Sequence, residues 1–285
     1  MKLTHRVVIL ATTVITVFAS ALAAVVLASP ARGASLAVGS AVRITATIAV
    51  GTRPLAVAAN SRTGTIYVAN TLDNTVSVIN GRTNTVVATI PVGRLPQGIA
   101  VNERTNTIYV GGDILSVISG RTNTVVATVP VASGPFGVAV NPHTDTVYVT
   151  NDGTVSVISG RTNAVVAMVP VGSSAMAVAV NERTNTIYVT NEGSRVSVIS
   201  GRTNAVVATV PVGGGPAGVA VNPRTRMIYV TCDGPDTVSV ISGRTNALVA
   251  TVRHVATPVG VAVNPRTNTI YVTNALENTV SVLTG

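Results

Sequence analysis

Residues 183–191 read RTNTIYVTN, and residues 266–274 read the same nine letters. Close copies begin at Arg62 (RTGTIYVAN), Arg104 (RTNTIYVGG), His143 (HTDTVYVTN) and Arg224 (RTRMIYVTC). The six tyrosines of these segments, Tyr67, Tyr109, Tyr148, Tyr188, Tyr229 and Tyr271, are all the tyrosines of the chain, and they stand 42, 39, 40, 41 and 42 residues apart. A period near forty restricts the chain to a repeat architecture, either propeller blades or stacked helical pairs. The local pattern decides between them. The unit that starts at Gly218 holds four short runs, GVAV, MIYV, TVSVI and ALVATV, each cut from the next by Pro, Gly, Asn or Asp. Val, Ile and Thr favour strands, and the breakers favour turns. Four strands per forty residues is the blade of a β-propeller. The runs are almost continuously apolar, which predicts strands buried on both faces.

The ends of the chain bear on closure. Residues 43–51 (RITATIAVG) resemble the fourth strand of a unit, and the chain stops at TVSVLTG, a third strand. The expectation is an all-β, six-bladed propeller of four-stranded antiparallel blades, in which the N-terminal strand completes the last blade and removes an open edge.

The segment YVTN at 148–151, 188–191 and 271–274, with YVAN at 67–70, resembles the signature of the YVTN-type β-propeller repeat family. Blade 2 departs with YVGG and blade 5 with YVTC. The resemblance covers residues 43–285. It implies an exported or cell-surface propeller related to surface-layer proteins, and it carries over no catalytic residue.

The N-terminus has its own signal. Lys2, His5 and Arg6 precede an uncharged run over 7–28, followed by Ser29, Ala31, Gly33 and Ala34. This is the layout of a secretory leader over 1–34, with cleavage near Ala31 or Ala34. The run is also long enough to stay as a membrane anchor. Either way a short linker (35–42) leads to the propeller (43–285), and the basic N-terminus places that propeller outside the cytoplasm. The expected location is secreted or cell surface, and the expected state is a monomer.

Strand order sorts the charges. Turns 1–2 and 3–4 of an antiparallel blade lie at one end. The 1–2 turns hold Arg62, Arg104, Arg183, Arg224, Arg226 and Arg266, and the 3–4 turns hold Arg82, Arg121, Arg161, Arg202 and Arg244, each within GRTN. Against these eleven arginines stand only Glu103, Asp145 and Glu182. The opposite end is mildly acidic, with Asp73, Asp113, Asp152, Glu192, Asp233, Asp236 and Glu277. Two accounts of the basic face compete. In one, Arg is a copied solvated turn residue, Gly supplies a left-handed conformation, and Thr and Asn bond the turn. In the other, arginine forks engage phosphate or carboxylate of an anionic polymer. The candidate binding residues are Arg82, Arg121, Arg161, Arg202, Arg244, Arg62, Arg104, Arg183, Arg224 and Arg266. No stacking aromatics accompany them, so sequence-specific nucleic-acid reading is not expected.

Chemistry is thinly encoded. His143 and His254 fall at opposite ends, so no histidine-based zinc site is expected. The lone Cys232 reads as a small buried residue. The upper-loop acids could offer oxygen ligands to calcium, but Asp and Asn before Gly are ordinary turn formers. No catalytic residue, metal or cofactor is assigned. The leading reading is a non-catalytic binding or interaction scaffold with an unknown protein or polymer ligand. The alternatives are polyanion binding (a cell-wall polymer or DNA) and a lyase- or lactonase-type propeller enzyme working at the acidic channel mouth. The sharpest break in symmetry is RHVATP at 253–258.

Overall fold

The computed structural model describes Thr16, Val17 and residues 46–284. Blade 1 runs Pro54–Asn60, Thr65–Asn70, Thr75–Asn80 and Thr85–Pro91, paired antiparallel in sequence order. Blades 2 to 5 repeat that layout over residues 98–129, 138–170, 175–211 and 216–253. Blade 6 has three strands among the described residues, Pro258–Asn264, Thr269–Asn274 and Thr279–Thr284. The molecule is an all-β, six-bladed propeller. Of the expected closing strand, residues 43–45 lie outside the described residues, and 46–50 carry no strand pairing. The two-residue strand Thr16–Val17 pairs in parallel with the first strand of blade 1 and lies beside the first strand of blade 6. The rest of the leader segment lies outside the described residues. Among the described residues no helix is long and apolar enough to cross a membrane.

The core is divided among the blade interfaces. Five apolar clusters each span one pair of neighbours, from blades 1 and 2 through blades 5 and 6. Tyr67, Tyr109, Tyr148 and Tyr188 are among the largest fully buried side chains. Each letter of YVTN has work in this packing. The Tyr wedges toward the next blade. In blade 3, Thr150 Oγ1 accepts from Gly137 N–H at 2.7 Å and donates to the Met176 carbonyl of blade 4 at 2.7 Å. Thr231 repeats this from blade 5 to blade 6, accepting from Gly218 N–H at 2.8 Å and donating to the Val259 carbonyl at 2.7 Å. The Asn ties the third strand: Asn151 Nδ2 donates to Ser156 Oγ at 2.9 Å. Where blade 5 has Cys232 instead, the thiol lies 3.6 Å from Ser239 Oγ, and burial pushes its pKa up.

Two expectations need correction. The fourth strands are not buried on both faces; that of blade 3, Ala164–Pro170, is largely exposed. In each of blades 1 to 5 the pairing of strands 3 and 4 slips by one residue, as between Val157 and Ile158. The unpaired extra residue is Val87, Val126, Val166, Val207 or Val249, exposed by 54–58%. The fourth strand is the outer edge of the disc. Its valines serve the pleat rather than a second interface, and the bulge twists the edge out of register with any further strand.

The second correction concerns GRTN. The left-handed residue is the Asn, as at Asn84 (φ 56°) and Asn163 (φ 53°), and not the Gly. Glycine is required there by a close approach. A methyl on Gly120, Gly160 or Gly243 would stand 2.7 Å from the hydroxyl of Tyr67, Tyr109 or Tyr188 of the preceding blade.

Candidate functional site

The basic face is built by one repeated turn. The Asn that ends each first strand has an Oδ1 that accepts the backbone N–H two residues on: Asn60 from Arg62 at 3.0 Å, Asn102 from Arg104 at 3.0 Å, Asn222 from Arg224 at 3.0 Å. Asn80 Oδ1 holds Arg82 N–H in the same way, at 2.9 Å. With the backbone so fixed, the arginine side chain is directed outward. All ten candidate arginines are exposed on the 1–2 and 3–4 turns, together with Arg226. Among the described residues none of the ten guanidinium groups makes an ion pair or hydrogen bond.

The few acids on this face are already committed. Glu103 accepts from Ser61 N–H at 3.0 Å and Ser61 Oγ at 2.9 Å, across the joint between blades 1 and 2. Asp145 Oδ1 accepts from Asn102 Nδ2 at 2.7 Å, across the next joint. Glu182 lies 3.7 Å from His143 Nδ1. Burial raises the Glu182 pKa, protonated His143 opposes the rise, and Glu103 adds to it. These bonds belong to a ladder that the sequence reading missed. Asn60 bonds Asn106, Asn141 bonds Asn185 and Asn222 bonds Asn268, each at 2.7 Å. The available signal was the recurrent Asn at the end of each first strand, one period before its partner in the next turn.

The opposite face is occupied differently. Asp73 Oδ2 accepts from Thr52 N–H at 2.6 Å, Asp113 Oδ1 from Arg94 N–H at 2.6 Å, and Asp236 Oδ1 from Thr257 N–H at 2.8 Å. Glu192 accepts from Ser174 Oγ at 2.7 Å. These carboxylates pin the links between blades. The 253–258 segment is such a link, held by Asp236. Among the described residues no cluster of His, Cys, Asp and Glu has metal-binding geometry. His143 and His254 stand on opposite faces, as their places in the repeat require.

No family model and no curated protein matches this sequence. Among solved structures, the chain is similar to a chain of hydrazine synthase from Kuenenia stuttgartiensis, with a TM-score of 0.57 and 17% identity. The match covers 85% of this chain and 99% of that one. At that identity the likeness is one of fold.

Proposed function

We propose that this chain is an exported binding propeller of the YVTN repeat type, and that its arginine-rich face engages an anionic polymer outside the cell. One observation carries the reading: ten exposed guanidinium groups share a face and have no partner among the described residues. A side chain selected for local structure would be expected to touch something; here the turns are held by Asn, Ser and Thr, not by Arg. Guanidinium forks suit phosphate and carboxylate oxygens, and a field of them gains through counterion release and multiple attachment. The commitment of Asp73, Asp113 and Asp236 to backbone amides of the links favours a binding role over acid–base chemistry at the channel mouth. The leader over 1–34 supports export.

The test is binding of the purified protein to wall polymer, acidic polysaccharide and DNA over a salt series. It is run beside a variant with Arg82, Arg121, Arg161, Arg202 and Arg244 changed to Ser. The expected result is a steep fall in affinity with salt. The slope of log K against log salt should flatten in the variant by roughly 0.7–0.9 for each phosphate no longer neutralised. Affinity that ignores both salt and the five changes would return the arginines to the role of solvated turn residues.

A further inference from the structure

Five of the six 1–2 turns present an arginine two residues after the Asn that ends the first strand: Arg62, Arg104, Arg183, Arg224 and Arg266. Blade 3 has His143 at that position. The turn that holds it is the same. Asn141 Oδ1 accepts from His143 N–H at 3.0 Å, as Asn60, Asn102 and Asn222 accept from Arg62, Arg104 and Arg224. The imidazole is 60% exposed. The repeat therefore sets His143 on the basic face in the place of a sixth arginine.

The acids of this face gather around it. The residue directly after that Asn is Ser61, Glu103, Pro142, Glu182, Pro223 or Pro265. The two glutamates thus belong to blades 2 and 4, on either side of blade 3. Glu103 reaches back to Ser61 of blade 1, and Glu182 reaches back to His143 of blade 3, where its Oε2 lies 3.7 Å from Nδ1. Asp145, in the His143 turn, accepts from Asn102 Nδ2 of blade 2. The cations on the surrounding turns are Arg104 of blade 2, Arg161 of blade 3 and Arg183 of blade 4.

We infer that His143 is the proton-regulated member of the anion-binding face: its protonation completes a ring of six cations on the 1–2 turns and tightens the hold on a polyanion. The inference rests on the polyanion reading above and adds its regulation. Histidine changes charge between about pH 5 and 8, and arginine does not. With the imidazole neutral, Glu103 and Glu182 oppose an incoming anion across blades 2 to 4. With the imidazole protonated, the Glu182 charge is matched and the face gains one positive unit. Glu182 acts in the same direction. Burial raises its pKa, so it sheds its charge at a higher pH than an ordinary glutamate, while protonated His143 opposes that rise and Glu103 adds to it. Both titrations make the face more positive as pH falls. Binding and protonation are also reciprocal: a bound anion holds the proton on the imidazole.

The experiment uses double-stranded DNA as the probe, because its phosphodiesters keep their charge across this range. Binding to the purified protein is measured over a salt series at about pH 8 and at about pH 5.5, the two sides of the histidine range. The expected result is tighter binding at the lower pH, with the slope of log K against log salt steeper by roughly 0.9 for the one added cation. His143→Arg, which restores the residue of the other five blades, should bind at both pH values with the steeper slope. Glu182→Gln should bind more tightly than the unchanged protein at the higher pH and still respond to acid. His254→Gln, on the opposite face, should respond as the unchanged protein does. A full pH response in H143R would place the proton elsewhere and overturn the inference. Salt-dependent binding with one slope at both pH values would overturn it too, while leaving the polyanion reading in place. Binding that ignores salt at both pH values would overturn both.

Discussion

At the scale of single residues, the repeated letters divide into apolar wedges and polar clamps, and they respond differently to change. The hydroxyl of Tyr109 is buried without a hydrogen-bond partner. A buried unsatisfied hydroxyl costs about 1–3 kcal/mol. Tyr109→Phe should therefore leave stability equal or raise it by roughly 1 kcal/mol in urea unfolding. Thr231→Val, nearly isosteric, should cost about 1–3 kcal/mol, because the buried Gly218 N–H loses its acceptor. The same burial sets an alkaline limit. Desolvation raises the pKa of Tyr109, Tyr148 and Tyr188 to about 12, with the Asp145 charge adding to the rise at Tyr109. In the unfolded chain these phenols ionise near about 10. Between those values the unfolded chain has released protons that the folded chain retains, so stability falls as pH rises. Unfolding free energy should be level from neutral pH to about 10 and drop steeply above it. A flat profile through that window would show the phenols to be solvated.

At the scale of the element, strand position within the blade decides what a valine is worth. Ile158, in the third strand, is fully buried between blades; Val166, in the fourth, is the exposed bulge residue. Ile158→Ala should cost about 2–5 kcal/mol. Val166→Lys should stay within about 0.5 kcal/mol and make the outer edge less prone to pair with another chain. Both residues sit in runs that look alike as letters. The fourth strand of blade 3 reads AVVAMVP, with no polar residue to mark an exposed face. Its exposure follows from being the last strand of the sheet, with no further strand beyond it.

At the scale of the whole molecule, the repeat turns local chemistry into a field. One arginine in a turn is solvated and has little energetic effect. Eleven on one face repel one another through a short distance of water, which lowers stability at low ionic strength. Added salt should raise the melting temperature of the unchanged protein toward a plateau as the repulsion is screened. The variant with five arginines changed to serine should begin nearer that plateau. Identical salt responses of the two proteins would mean that the guanidinium groups do not sense one another.

The sequence by itself determined the number of blades, the order of their strands and the face on which each arginine stands. Those follow from a period, an alternation of strands and breakers, and the geometry of an antiparallel sheet. It also marked Tyr and Gly as positions that recur, without saying why. Only the tertiary structure decided that the glycine of GRTN yields to the tyrosine of the preceding blade, that Asn60, Asn102, Asn141 and Asn222 reach across joints, and that the upper acids hold the links. Each of these pairs residues far apart in the chain, and the distance between them exists only once neighbouring sheets have packed.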